Sequence, residues 1–157
     1  MGKRINVLEV GPRDGWQNLK QMLTFEQKVE LIDAMLDAGV KEMEVTSFVS
    51  PKAIPQMADA AELAKTCIEK HPNTVFYALA PNFRGVENAV NAGIKNVSYV
   101  ISVSESHNKA NIRRTHFDNF MTIEIFCLFY KKTLNFTSRR SLCMLGMKAD
   151  EKRREKS

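Results

Sequence analysis

The first hundred residues alternate between short apolar runs and segments whose apolar residues recur every three or four positions. The run VLEV at residues 7–10 is typical of a buried strand, and the Gly-Pro pair that follows ends it. Three later runs predict further strands, at residues 40–46, 74–80 and 96–103.

Three segments with helical spacing separate these runs. Thr24 and Gln27 have the spacing of a capping box, and Gly39 is placed to end the helix that follows. The apolar face of this helix is formed by Phe25, Val29, Ile32 and Leu36. We predict that a second helix opens at Pro55 and that a third closes at Gly93. The apolar positions of these two helices are Met57, Ala60, Ala61, Ala64, Cys67 and Ile68, and then Val86, Ala89 and Val90.

This order of elements predicts the fold class. Strands that are separated by helices of about 10–15 residues indicate βαβ units, which build a parallel sheet. The expected class is therefore α/β.

The pattern stops near residue 115. Twelve valines lie in residues 1–115 and none in residues 116–157, although the latter hold six of the thirteen aromatic residues. The apolar run at 121–130 fits either a short helix or a strand, because its periodicity does not separate the two. The last ten residues, KADEKRREKS, have the composition of a disordered segment. We therefore predict one domain over residues 1–115 and a divergent, basic and partly disordered tail over residues 116–157.

Composition narrows the class of protein. A chain of 157 residues with 44% hydrophobic and 26% charged residues is typical of a globular domain in water. No apolar stretch is long enough to span a membrane, and MGKR leads directly into the first strand, so we expect neither a membrane partner nor a signal peptide. Cys67, Cys127 and Cys143 form no close pair, which favours a reducing, cytoplasmic setting without a disulfide framework or a zinc site.

The net charge of +5 is unevenly distributed along the chain, with +1 in residues 1–115 and +4 in residues 116–157. A basic tail attracts nucleic acid, but charge alone gives no specificity and no nucleic-acid-binding motif accompanies it. We therefore expect no nucleic-acid partner.

The charged pair Arg13-Asp14 follows the first predicted strand. It fits a solvated turn with a surface ion pair, or a carboxylate metal ligand beside a guanidinium that stabilises an oxyanion. Parallel α/β folds carry their chemistry at the carboxyl ends of the strands, and polar groups also stand at the ends of the other predicted strands or directly after them. These groups are Glu44 and Ser47, then Asn82, then SESHNKAN at 104–111. Four such strand ends in succession favour the functional interpretation.

Three motifs carry a family resemblance: GPRDGWQN at 11–18, EVTSFVSPKAIPQMAD at 44–59 and SESHNKANI at 104–112. Together they resemble the hydroxymethylglutaryl-CoA lyases, which belong to the metal-dependent lyases and Claisen-type synthases. The resemblance implies a (β/α)₈ TIM barrel, and this chain would supply about the first four β/α units. It covers roughly residues 4–115, less than half of a barrel of about 250 residues.

The resemblance also implies roles for individual residues. Asp14 matches the aspartate ligand of the catalytic divalent cation, Mg²⁺ or Mn²⁺, which prefers oxygen ligands. Arg13 matches the arginine that binds the substrate and stabilises the enolate oxygen as a carbon–carbon bond breaks. Glu44 matches an acidic catalytic residue, and Ser47 is expected to lie near the substrate. The implied reaction cleaves 3-hydroxy-3-methylglutaryl-CoA, an acyl-CoA, to acetoacetate and acetyl-CoA.

The sequence departs from the family pattern in its histidines. The family completes its metal site with a His-x-His pair, and His71, His107 and His116 are not spaced in that way. Two alternatives to the lyase therefore stay open: a related Claisen-type synthase or aldolase acting on another acyl-CoA or 2-oxo acid, and a non-catalytic half-barrel that binds a partner through its sheet edge. Open apolar faces also lead us to expect self-association or a homo-oligomer.

Overall fold

The computed structural model describes residues 6–100, 104–106, 115, 118 and 135–137. Its helices and strands, in chain order, are α1 (Phe25–Asp37), β1 (Glu42–Ser47), α2 (Ala60–Lys70), β2 (Val75–Leu79), α3 (Phe83–Asn91), β3 (Asn96–Ser98) and β4 (Asn135–Thr137). Three short turns complete the description: a π-helical GPRDG turn (Gly11–Gly15), and two 3₁₀ turns that we name the WQN turn (Trp16–Asn18) and the PQM turn (Pro55–Met57).

The strands form one sheet with the order β1-β2-β3-β4. Every neighbouring pair in it is parallel. One helix lies between β1 and β2 along the chain, and one between β2 and β3. The prediction of an α/β fold with a parallel sheet is confirmed.

The first predicted strand, at residues 7–10, is present only as a single parallel bridge between Glu9 and Met43. The Glu9 N–H donates to the Glu42 carbonyl at 3.0 Å, and the Glu44 N–H donates to the Glu9 carbonyl at 2.8 Å. Val7 is 77% exposed, so the expectation of a buried strand is wrong there. The reason is position, because among the described residues this segment has a strand neighbour on one side only.

The second predicted helix begins five residues later than expected. Pro55 opens the short PQM turn, and α2 starts at Ala60. In a continuous helix the Gln56 carbonyl would point toward the Ala60 N–H. Here that carbonyl accepts a hydrogen bond from Lys28 Nζ at 2.5 Å, so a contact with α1 takes precedence over the helical bond.

The ends of the other two helices agree with the sequence. The Thr24 side chain accepts from the Gln27 N–H, and the Gln27 side chain accepts from the Thr24 N–H, which is the predicted capping box. Gly39 and Gly93 follow α1 and α3 with φ of 99° and 87°, a conformation that favours glycine.

The strand β4 was not predicted. Residues 135–137, which lie in the segment predicted as a divergent tail, pair in parallel with residues 96–98 of β3 and so continue the sheet. Three residues are too few for a periodic signal, and the main-chain groups of a sheet edge pair with an extended segment of almost any sequence. The boundary at residue 115 stays a prediction, and the last ten residues lie outside the described part of the chain.

The hydrophobic core lies between the helices and one face of the sheet. Its strand members include Met43, Val45, Phe76, Ala78 and Val97, and its helix members include Ile32, Leu63, Ala64, Cys67, Val86 and Ala89. Burial, and next the nearby Asp33 carboxylate, raise the pKa of Cys67 to about 12, so this thiol behaves as an apolar core group. No helix in the described residues is long and apolar enough to cross a membrane.

Candidate active site

The GPRDG turn places Arg13 and Asp14 next to β1. The N–H groups of both residues donate to the Val10 carbonyl, at 3.1 and 2.7 Å, so the chain winds tightly as soon as it leaves the Glu9 bridge. Arg13 Nε then donates to Glu44 Oε2 at 2.6 Å, and Arg13 Nη1 donates to Asp14 Oδ1 at 2.7 Å. These contacts bring Arg13, Asp14 and Glu44 together beside β1.

The side chains of Glu44, Arg13 and Asp14 differ in their exposure to solvent. The Glu44 side chain is 3% exposed, that of Arg13 is 17% exposed and that of Asp14 is 54% exposed. A buried carboxylate is costly unless it is paired, and the guanidinium supplies the pairing charge. The hydrogen bond to the buried Glu44 carboxylate thus fixes the Arg13 guanidinium, while the Asp14 side chain is exposed to solvent.

The side chains of Gln17 and Asn18 organise the turn. Gln17 Nε2 donates to Asp14 Oδ1 at 3.1 Å, and Asn18 Nδ2 donates to the Asp14 carbonyl at 2.7 Å. The Asp14 carboxylate therefore has one oxygen, Oδ1, held by two donors. Its other oxygen, Oδ2, accepts no bond from a described residue and is available to a ligand.

A β-bulge at Val45 sets the direction of Ser47. Glu44 pairs with Tyr77 and Thr46 pairs with Ala78, so β1 has one more residue than β2 over this interval. Side chains alternate along a regular strand, and residues three apart would point to opposite faces. The extra residue restores Glu44 and Ser47 to the same face, away from the helices.

Ser47 and Ser98 carry buried hydroxyl groups without a hydrogen-bond partner in the described part of the protein. Ser47 pairs with Leu79, and Leu79 pairs with Ser98, so both hydroxyls lie in one row on the Glu44 face. Ser98 was not predicted as a site residue from the sequence. A single serine inside an apolar strand has no chemical signature, and only the register brings it into line with Ser47.

Glu9 is a second residue that the sequence did not single out. Its Oε1 atom accepts the N–H of Gly11 at 2.6 Å, at the start of the GPRDG turn. An acidic residue within the apolar run VLEV was the available signal. Its carboxylate fixes the first peptide of the turn.

Asn82 caps a helix, and among the described residues no hydrogen bond or ion pair joins it to Arg13, Asp14 or Glu44. Its Oδ1 atom accepts the Gly85 N–H at 2.9 Å and caps α3.

His71 lies between α1 and α2, where its Nε2 atom is 2.7 Å from Asp33 Oδ1. Of the SESHNKAN segment the structure describes only residues 104–106, where the hydroxyls of Ser104 and Ser106 lie 2.8 Å apart. His107 lies outside the described residues.

The described residues do not by themselves make a metal site. Among them no group of three or more His, Cys, Asp or Glu side chains is arranged to hold a metal ion. Asp14 offers a hard oxygen donor, but Glu44 is occupied by Arg13. A divalent cation at Asp14 would need further ligands from outside the described part of the chain or from a substrate.

Comparison with known proteins decides the family. The model of the HMGL-like family matches residues 4–149. The chain belongs to this family. The match continues 34 residues beyond the boundary predicted at residue 115, although the motifs that carried the resemblance all lie before it.

Relatives within the family are lyases. Bovine (Bos taurus) mitochondrial hydroxymethylglutaryl-CoA lyase is 47% identical over 110 residues, which are 70% of this chain and 34% of that protein. The 3-hydroxy-3-isohexenylglutaryl-CoA/hydroxy-methylglutaryl-CoA lyase of Pseudomonas aeruginosa is 44% identical, over 70% of this chain and 36% of its own length. The chain therefore spans little more than a third of these relatives.

Solved structures give the same assignment. The HMG-CoA lyase of Bacillus subtilis superposes with a TM-score of 0.79 and 35% identity, over 86% of this chain and 45% of that one. The HMG-CoA lyase of Acinetobacter baumannii, in complex with coenzyme A and 3-methylmalate, gives 0.78 and 34%, over 83% and 43%. The fold is thus part of the TIM barrel of these lyases, as the resemblance implied.

Proposed function

We propose that this member of the HMGL-like family contributes the first catalytic corner of a carbon–carbon lyase that cleaves 3-hydroxy-3-methylglutaryl-CoA. The observation that carries the proposal is the 2.6 Å contact between Arg13 Nε and the buried Glu44 carboxylate. It fixes a cation at the carboxyl end of β1, where parallel α/β folds bind substrates. The names of the relatives supply the substrate class, and the coenzyme A complex of one neighbour supports an acyl-CoA partner.

The reaction needs a fixed positive charge. The bond between C2 and C3 of the acyl group breaks, its electron pair becomes the enolate of acetyl-CoA, and the C3 hydroxyl loses its proton to a base as C3 becomes the ketone of acetoacetate. The enolate then takes up a proton to give acetyl-CoA. We assign Arg13 to the binding of the thioester oxygen, where negative charge develops, and Glu44 to holding the guanidinium in place. We expect Ser47, which lies on the same face of the sheet as Glu44, to be near the bound substrate.

We further propose that Asp14 is one ligand of a divalent cation, Mg²⁺ or Mn²⁺. Its support is the free Oδ2 atom and the exposure of the side chain beside Arg13. No step above is assigned to the cation, because the described residues do not complete its site. A cytoplasmic location and self-association are further proposals, carried over from the sequence.

The test transfers the segment that contains Arg13, Asp14 and Glu44 into a complete TIM-barrel lyase. Residues 4–115 replace the matching segment of the Bacillus subtilis lyase, and acetoacetate formation is measured in a coupled assay with Mg²⁺. We expect turnover by the chimera and a loss of at least about 100-fold in kcat on Arg13→Gln, the usual effect of removing an oxyanion donor. Arg84→Gln, at an exposed arginine of α3, is the matched control and should keep full activity. A chimera whose activity survives Arg13→Gln would overturn the proposal.

A further inference from the structure

Lys28, on α1, is a buried lysine with a complete set of partners. Its side chain is 3% exposed, and its Nζ atom donates to both carboxylate oxygens of Asp59 at 2.8 Å and to the Gln56 carbonyl at 2.5 Å. An ammonium group has three protons to donate, and here all three are used. Burial of such a group is tolerated only when the partners hold a fixed geometry.

The partners of Lys28 lie in the segment between β1 and α2. This segment leaves β1 at Ser47 and includes the PQM turn. The turn is also tied to β1 itself, because the Thr46 hydroxyl donates to Met57 Sδ at 3.6 Å. Lys28 therefore fixes the loop that follows the Glu44 and Ser47 positions.

Gln56 extends the network to the other loop of the site. Its Nε2 atom donates to the Leu19 carbonyl at 2.6 Å. The Leu19 N–H donates to the Trp16 carbonyl at 3.1 Å, so Leu19 closes the WQN turn. The WQN turn also contains Gln17 and Asn18, whose side-chain amides donate hydrogen bonds to Asp14.

We propose that Lys28, Gln56 and Asp59 act together as a clamp that sets the position of the GPRDG turn relative to β1. Lys28 and Asp59 hold the PQM turn, and Gln56 passes this constraint to the WQN turn. The three are positioning residues, since they reach Arg13 and Asp14 only through these two turns. The functional role of the clamp rests on the proposed function, because the clamp would keep Arg13 in position between Glu44 and the substrate.

A plain structural ion pair would behave differently from a clamp. It would contribute to the stability of the whole domain and leave no local signature in the GPRDG and WQN turns. A clamp predicts local loosening of the WQN turn even when the global stability is unchanged. Trp16 reports this directly, because it is the single tryptophan of the chain, lies in the WQN turn and is buried.

The experiment measures acrylamide quenching of Trp16 fluorescence in the full 157-residue chain. Lys28→Met removes the centre of the clamp, and Gln56→Leu removes only the bond to Leu19 without leaving a buried charge. Lys70→Met is the matched control, because Lys70 Nζ donates to Asp33 Oδ2 at 2.6 Å and so also links α2 to α1, away from both loops. Circular dichroism and urea unfolding of each variant record whether the fold persists.

We expect the quenching constant to rise about two-fold in Gln56→Leu and in Lys28→Met, since local opening exposes a buried ring, with no change in Lys70→Met. The double variant should quench no more than Lys28→Met alone, because both act through one route. Unchanged quenching in Gln56→Leu, with its fold intact, would overturn the clamp. This outcome is independent of lyase activity, so the failure of either proposal is visible separately.

Discussion

At the scale of single residues, the ion pair between Arg13 and Glu44 leads us to expect that Arg13 stabilises the fold. It is the charge that offsets the burial of Glu44, and removing one partner of a buried pair leaves the other uncompensated. We expect Arg13→Gln to lower the free energy of unfolding by about 3 kcal/mol, measured by urea denaturation. Asp14→Asn, at an exposed partner of the same arginine, should cost less than about 1 kcal/mol. Equal costs for the two variants would contradict the burial of Glu44.

The buried hydroxyls of Ser47 and Ser98, which have no hydrogen-bond partner among the described residues, give the opposite prediction. A buried hydroxyl without a partner has lost its hydrogen bonds to water and made no new ones, so replacing the serine with alanine removes that desolvation penalty. Ser98→Ala and Ser47→Ala should each leave the free energy of unfolding unchanged or raise it by up to about 1 kcal/mol. A clear loss of stability in either variant would reveal a hydrogen-bond partner outside the described residues.

At the scale of elements, α1 and α2 are joined by a cluster that responds to pH. Lys70 Nζ and His71 Nε2 lie 2.6 and 2.7 Å from the two carboxylate oxygens of Asp33. Burial acts to raise the pKa of Asp33, but the hydrogen bonds from Lys70 and His71 and their charges outweigh it and hold the pKa below 3.8. Because the folded carboxyl binds its proton less readily than the unfolded one, its stabilisation is complete above that value and is lost as the pH falls below it.

The test compares Asp33→Asn with the unaltered chain. Thermal unfolding is followed between about pH 6 and pH 3, and the melting temperature of the variant should fall less steeply on acidification, because it has no carboxylate to protonate. Two identical pH profiles would show that Asp33 makes no net contribution to the link between the helices.

The elements also show what could be predicted from sequence. Both ends of α1 could be predicted from the sequence. The capping box at Thr24 and the glycine after the helix depend only on residues a few positions away along the chain. The late start of α2 depends on Lys28, which lies 28 residues before Gln56, and no local pattern records that contact. Long-range contacts of this kind shift the ends of helices, and the spacing of apolar residues along the sequence does not reveal them.

The candidate site divides in the same way. Arg13, Asp14 and Glu44 could be grouped in advance because the carboxyl ends of parallel strands meet at one edge of a sheet. The direction of Ser47 could not, since it depends on the bulge at Val45, which exists only in the pairing of β1 with β2. Ser98 entered the row through the same register.

At the scale of the whole molecule, the described residues supply a positioned cation and one free carboxylate oxygen, and they do not hold a group of three metal ligands. The three histidines of the sequence include no His-x-His pair, and the chain spans less than half the length of the lyases it resembles. Catalysis by a bound metal requires ligands from several strands that hold it in a fixed geometry. We therefore predict that the purified 157-residue chain does not cleave 3-hydroxy-3-methylglutaryl-CoA at a useful rate by itself, although it belongs to a lyase family.

The measurement is the coupled acetoacetate assay, run with Mg²⁺ or Mn²⁺ on the chain alone and on its Asp14→Asn variant, beside the Bacillus subtilis lyase. We expect the activity of both forms of the chain to fall at least about 100-fold below that of the complete enzyme, because altering the outer-shell partners of metal ligands alone costs about 10–100-fold. Light scattering on the same samples separates monomers from self-associated forms. Turnover that disappears in Asp14→Asn would contradict the prediction. In that case residues outside the described part, or a second copy of the chain, would complete the site that Arg13 and Asp14 begin.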